Sequence, residues 1–180
     1  MGYMIHLETE RLTIRGFEEA DAKVASYNSS RPTVAKEMSD MVLKTEEEAL
    51  GWIQWTKSVS NIEDPWQVLA IIRKSDNQCI GLVGMIPQKM INREVEILYA
   101  IADEYQGQGY AVEAAGEMIK WFFQSEKREY LSAIVKKNNL PSQNVVKKIG
   151  FTFIEEREIE YDQKICTFFY YRLENPNRIA

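Results

Sequence analysis

Tyr105-Gln106-Gly107-Gln108-Gly109-Tyr110-Ala111 sets two glycines between an apolar run and an amphipathic one. The run before it, Val95-Glu96-Ile97-Leu98-Tyr99-Ala100-Ile101, is too short for a typical helix and rich in residues that suit a strand. After it, Ala111, Ala114, Ala115, Met118, Ile119, Phe122 and Phe123 recur at helical spacing through 110–123. The segment therefore reads strand, glycine loop, helix. Gly107 and Gly109 let the backbone turn sharply and approach a ligand with no Cβ in the way. The unpaired N–H groups of the helix start point out of that loop, and the helix dipole adds partial positive charge there. Such a place suits an anion, above all a phosphate.

Two common phosphate motifs do not fit. A P-loop requires a Lys-Ser/Thr pair after the second glycine, whereas Tyr110-Ala111 follows Gly109. A dinucleotide fingerprint requires a third small residue three positions on and an acidic residue about 20 positions on. Val112-Glu113 and Lys136-Lys137 stand there instead.

The remaining chain bounds the function. At 180 residues it suits one domain, 1–180, able to bury roughly 70% of its unfolded surface. The net charge of −5 leaves no basic excess for a nucleic-acid partner and tolerates a cationic substrate such as an amine. Cys79 and Cys166 are too few for a disulfide framework, and both sit in apolar, strand-like runs that read as buried free thiols. The N-terminal segment carries Glu8 and Glu10 and no long apolar core, unlike a signal peptide. No run reaches the length of a membrane-spanning helix, so a soluble, cytoplasmic protein is expected. One histidine, His6, and two distant cysteines make no metal spacing.

Taken in order, 10–15 alternates as a first strand with Leu12 and Ile14 inward, and 18–27 reads as a short helix ended by Arg31-Pro32. Thr45-Glu46-Glu47-Glu48 is a capping box that opens a helix carrying Ala49, Leu50, Trp52 and Ile53. Strands follow at 67–72 and 79–87, joined by Ser75-Asp76-Asn77-Gln78, and Ile91-Asn92-Arg93 turns into the strand at 94–101. The helix at 110–123 crosses over to a strand at 130–135, so that 94–101 and 130–135 lie parallel. A helix over 142–149 ends at Gly150, and 151–159 and 164–173 close the chain as a hairpin. The expected fold is α/β (α+β): a mixed, mostly antiparallel sheet with helices on both faces and one parallel crossover. Thr167-Phe168-Phe169-Tyr170-Tyr171 puts aromatics on both strand faces, as in a doubly covered strand or a homodimer contact.

Gln106-x-x-Gly109-x-Ala111 matches the pyrophosphate loop of the GNAT acetyltransferases, Gln/Arg-x-x-Gly-x-Gly/Ala. Asn139-Leu140-Pro141-Ser142-Gln143-Asn144-Val145-Val146-Lys147-Lys148-Ile149-Gly150-Phe151 matches the second motif of that family, Asn-x-x-Ser-x-x-Val-x-x-Lys-x-Gly-Phe, at every constrained position. The opening Leu7-Glu8-Thr9-Glu10-Arg11-Leu12-Thr13-Ile14-Arg15, followed by Asp21, resembles one branch, the ribosomal-protein alanine N-acetyltransferases and their small-molecule relatives. The resemblance spans essentially the whole chain and implies a GNAT-type sheet with acetyl-CoA as co-substrate. It assigns the pyrophosphate to the backbone of Gln106, Gly107, Gln108, Gly109, Tyr110 and Ala111. Pantetheine would run along the central strand near Ile97, Tyr99 and Ile101, with Asn139 holding its amides and Ser142 near the sulfur. Five positions depart from the branch: Leu98 stands for Gly, Ala100 for Trp, Asp103 for Pro, Gln108 for Lys and Val112 for Thr.

Acetyl transfer to an amine requires a neutral nucleophile, and a carboxylate near the thioester can take the amine proton. Glu96, which matches the glutamate of the branch's Glu-Ile-Gly-Tyr stretch, is the candidate base, with a salt-bridged strand glutamate as its bland alternative. Glu113 also matches a family glutamate but sits inside the helix, where it orders structure. Ser142 is the candidate acid for the leaving thiolate, with helix capping as the alternative. The expected function is N-acetyl transfer to an amine, on a small molecule or a peptide N-terminus. The rival is a non-catalytic acyl-CoA sensor, motivated by Leu98 and Ala100.

Overall fold

The computed structural model describes residues 5–59, 66–125 and 128–177. Its strands are β1 (His6–Glu8), β2 (Leu12–Gly16), β3 (Gln67–Arg73), β4 (Gln78–Gln88), β5 (Glu94–Ile101), β6 (Tyr130–Lys136), β7 (Thr152–Tyr161) and β8 (Lys164–Glu174). Its helices are α1 (Ala22–Ser29), α2 (Pro32–Glu37), α3 (Glu46–Val59), α4 (Tyr110–Ser125) and α5 (Leu140–Lys148). The strands form one sheet in the order β1-β2-β3-β4-β5-β6-β8-β7. Every neighbouring pair is antiparallel except β5 and β6, the pair bridged by the α4 crossover.

Two apolar clusters cover the two faces, because alternate residues of a strand point to opposite sides. On one face Val95, Ile97 and Ile101 pack with Ala114, Met118 and Phe122 of α4. Helix α4 buries Tyr110, Ala114, Ala115, Met118, Ile119, Phe122 and Phe123, the side selected by its 3.6-residue period. On the other face Val68, Ala70 and Ile72 of β3 meet Ala22 and Ala25 of α1 and Ala49 and Ile53 of α3. The buried carboxylate of Asp21 closes the turn before α1, accepting from Arg15 Nη1 at 2.7 Å and from Glu18 N at 2.8 Å.

Several local expectations need correction. The segment 18–27 divides into a 3-10 turn at Glu19–Asp21 and α1. Pro32 does end α1, but it also starts α2, where its missing N–H costs nothing and its fixed φ favours the first turn. At α3, Thr45 Oγ1 accepts from Glu48 N at 3.1 Å, yet Glu48 Oε2 reaches Lys44 N at 2.7 Å, one residue before the expected cap. Helix α5 begins two residues before 142, because Asn139 caps it and Pro141 suits its first turn. Cys79 is buried, whereas Cys166 is only half-buried. The closing hairpin forms as expected after Gly150, whose φ of 101° is left-handed. Strand β8 lies between β6 and β7 with Phe168, Tyr170 and Tyr171 buried, which is the doubly covered arrangement.

Candidate active site

Strand β5 pairs with β4 along its whole length, from Glu94 opposite Gln88 to Ile101 opposite Gly81. Its pairing with β6 is confined to Glu96 opposite Ser132. Beyond that point the two parallel strands part, and among the described residues the β6-facing edge of Ile97–Ile101 has no strand partner. The gap widens into a cleft of about 690 Å³. Ile97, Tyr99 and Ile101 line it from β5, Gln106, Gly107, Gly109, Tyr110 and Ala111 from the loop, and Asn139 and Ser142 from the start of α5. Gln108 is the one expected loop residue outside the wall.

The loop is held from behind. Gly107 and Gly109 adopt φ of 74° and 82°, which an L side chain resists, and a Cβ added at Gly107 would meet open space. Gln106 Nε2 donates to Ile101 O at 2.8 Å, so this side chain ties the loop to β5 and leaves the backbone to meet a ligand. Arg11, in the turn between β1 and β2, donates from Nη1 to Gln108 O at 2.9 Å and lies over the Tyr110 ring at 4.4 Å. The same guanidinium sits 2.7 Å from Glu113 Oε2, and Glu113 Oε1 accepts from Thr9 Oγ1 at 2.6 Å and from Arg11 N at 2.9 Å. Burial alone would raise the Glu113 pKa, but those hydrogen bonds hold it below the ordinary value. Glu113 thus orders the loop and is spent in doing so.

Glu96 lies on the opposite side of β5 from α4 and is 7% exposed. Its Oε2 accepts from Gln88 Nε2 at 2.8 Å and its Oε1 from Ile134 N at 3.3 Å. Burial pushes its pKa up to about 7, against the pull of those two bonds. A carboxyl group in that state exchanges a proton near neutral pH. Among the described residues its hydrogen-bond partners are an amide and a backbone N–H, and none is a cation.

Around Glu96 the cleft wall is formed by Val34, Met38 and Met41 above and by Ile86, Leu98 and Ala100 of the sheet below. The segment carrying Met38 and Met41 is fastened across the opening: Tyr161 Oη donates to Asp40 Oδ1 at 2.7 Å, and Lys136 Nζ to Lys36 O at 3.0 Å. Leu98 and Ala100, two of the departures, therefore shape an apolar wall and leave the cleft open.

Ser142 stands in the first turn of α5. Its N–H donates to Asn139 Oδ1 at 3.1 Å, so capping accounts for the Asn139 side-chain oxygen. Its Oγ lies 2.9 Å from Tyr99 Oη, which also donates to Ser142 O at 3.2 Å. Burial raises the Tyr99 pKa, which keeps that phenol protonated and able to donate. His6, by contrast, is exposed on β1 beside Glu8.

Sequence reasoning missed Arg11, Gln88 and the roof from α2 through Met41. In the sequence Arg11 stands only within the opening that resembles the family, and nothing local tells that it crosses to Gln108. Gln88 sits at a strand end among turn residues and carries no pattern. The roof had one usable signal, the proline at 32.

The chain matches the family model described as acetyltransferase (GNAT) domain over residues 11–152. It is 33% identical over 147 residues to the uncharacterized N-acetyltransferase p20 of Bacillus licheniformis, covering 81% of each chain. An acetyltransferase of the GNAT family from Bacillus anthracis shares the fold at a TM-score of 0.80, with 24% identity over 95% of this chain and 99% of that one. RimL, a ribosomal L7/L12 α-N-protein acetyltransferase solved with coenzyme A, aligns at a TM-score of 0.79 and 15% identity, covering 94% and 98%.

Proposed function

The chain belongs to the GNAT acetyltransferase family and is an acetyltransferase enzyme, and we propose that it moves the acetyl group of acetyl-CoA to a primary amine by direct attack, with Glu96 as base. One observation carries this reading: the parting of β5 and β6 opens a single cleft that has the glycine loop at one end and the buried Glu96 carboxyl at the other.

Acetyl-CoA supplies an acyl group activated as a thioester. The chain fits it through the left-handed Gly107 and Gly109, whose N–H-bearing loop suits a pyrophosphate, and through the unpaired edge of Ile97–Ile101, which suits pantetheine amides. Asn139 and Ser142 border the same path. Glu96 takes the proton from the attacking amine: an N–H bond breaks, an O–H bond forms on the carboxylate, and the nitrogen lone pair becomes free to bond the acyl carbon. The nitrogen bonds the acyl carbon, the C–S bond breaks, and the proton that the acylated nitrogen gives up balances the one that the leaving sulfur gains. Ser142 Oγ borders that path and, paired with Tyr99 Oη at 2.9 Å, is the candidate to hand that proton to the sulfur.

The roof sets the apolar Val34, Met38 and Met41 beside the carboxylates of Glu37 and Asp40, so that it offers apolar contact to a carrier and negative charge to an amine that arrives protonated. An amine offered on an apolar carrier, whether a small molecule or a peptide N-terminus, suits that wall. Thiol release from acetyl-CoA across a panel of small amines and short peptides tests the reading. Release with at least one amine is the expected result. Acetyl-CoA binding without release for every amine would instead support a sensor.

A further inference from the structure

We propose that Gln88 is a positioning residue that keeps the Glu96 carboxylate ionised and presents one chosen oxygen to the acceptor amine; this rests on the reading of Glu96 as the base. Gln88 is the last residue of β4, opposite Glu94. Its Oε1 accepts from Met90 N at 3.2 Å, in the turn that links β4 to β5. A carbonyl oxygen is required there, so the amide cannot flip, and the NH₂ end must face Glu96 Oε2 at 2.8 Å. An NH₂ group only donates. Glu96 Oε2 must therefore act as an acceptor towards Gln88, and that bond favours the charged carboxylate. Oε1 is held only by the longer 3.3 Å bond from Ile134 N. Each oxygen keeps a lone pair, and Oε1, on the longer bond, is the less engaged one and so the one offered to the incoming proton.

The charged surroundings do not do this work. Asp40, from the turn after α2, pushes Glu96 towards its neutral form, in the same direction as burial. Glu37 of α2 lies 3.5 Å from Lys36 Nζ and 3.8 Å from Lys136 Nζ of β6, and Lys136 also donates to Lys36 O. Those cations are engaged with the roof. Glu94, on β5 itself, accepts from Tyr170 Oη of β8 at 2.5 Å. Tyr99 is an uncharged phenol on the other side of the strand. Among the described residues, the hydrogen bonds drawn to Glu96 come from Gln88 and Ile134, and only the first is made by a side chain.

The test follows the Glu96 carboxyl directly and needs no acceptor. Protein labelled with ¹³C at the glutamate carboxyls is titrated by NMR, with the Glu96 resonance identified by its loss in Glu96→Gln. Gln88→Met keeps the length of the side chain and removes the donor. Its titration midpoint should lie about one pH unit above that of the unaltered protein, the size expected for one hydrogen bond to a charged group. Acetyl-CoA affinity should stay within about twofold, because the loop is remote from Gln88. Should Gln88→Met fail to fold, Gln88→Glu retains the bond from Met90 N and sets a second carboxyl beside Glu96. Glu96 should then hold its proton to a still higher pH. A midpoint that does not move, or that falls, in a folded variant overturns the proposal. Loss of turnover in Glu96→Gln is read separately, so an unmoved midpoint counts against Gln88 and a harmless Glu96→Gln counts against the base.

Discussion

The two ends of the cleft are built from different materials. At the loop end the groups that the proposal gives to the donor are backbone N–H groups, and the side chains of Gln106, Arg11 and Glu113 hold that backbone from behind. At the Glu96 end the working groups are side chains, a carboxyl at a pKa of about 7 under a roof of Val34, Met38 and Met41. On that reading the loop end owes its binding to backbone groups, as long as the glycines and the side chains that brace them are kept. With Glu96 as the proposed base, substitutions in the roof would change the acceptor and keep the chemistry. Binding of the donor and choice of the acceptor would thereby be separable in one small sheet.

The separation breaks most visibly at Glu96. Glu96→Gln keeps the shape and removes the proton acceptor, so the turnover number should fall about 10²–10⁴-fold, roughly 3–5 kcal/mol of barrier. The loss should shrink as the pH rises towards the pKa of the amine, which then arrives neutral. A pH–rate series on both proteins checks this, and a loss that stays constant to high pH would reduce Glu96 to a wall residue.

The same substitution has an effect on stability with a definite sign. The folded pKa of Glu96, about 7, lies above the ordinary glutamate value of 4.5. Folding therefore binds the proton more tightly, and the associated stability is present below 4.5 and lost as the pH rises through 7. Glu96→Gln has no such dependence. It should gain on the unaltered protein by about 3 kcal/mol between pH 4.5 and pH 8, an order-of-magnitude figure from the size of the shift. Denaturant titrations at pH 5 and pH 8 would reveal it.

A smaller effect is expected at Tyr99→Phe, which removes the partner of the Ser142 hydroxyl. Turnover should fall about tenfold, the worth of one buried hydrogen bond, with acetyl-CoA affinity little changed. A change in affinity as large as the change in rate would place Tyr99 in pantetheine binding instead.

How legible each end was in the sequence follows from the same contrast. The loop could be read because its function needs glycine at fixed positions: φ of 74° and 82° leaves little choice of residue, and the helix after it repeats every 3.6 residues. The strand at 94–101 was located to the residue because its apolar run is bounded by Arg93 and the glycine loop. Glu96 was legible only through its match to a family position, and the burial that sets its pKa depends on distant roof residues. Gln88, Arg11 and Tyr99 act through contacts 8, 97 and 43 residues away in sequence, which no local pattern encodes. Helix α2 is not legible because a proline can both stop and start a helix, and nothing local says that Pro32 does both.

Calorimetry of acetyl-CoA with Gly109→Val and Glu96→Gln side by side tests the separation of the two ends most directly. Valine at a φ of 82° is strained by roughly 1–3 kcal/mol, and its Cβ would lie 3.4 Å from Arg11 Nη2. Acetyl-CoA affinity should fall about 10–100-fold in folded Gly109→Val, the same range of free energy, and should change less than about threefold in Glu96→Gln, whose site of action is the amine. Unchanged affinity in Gly109→Val, or an equal loss in both proteins, would contradict the account.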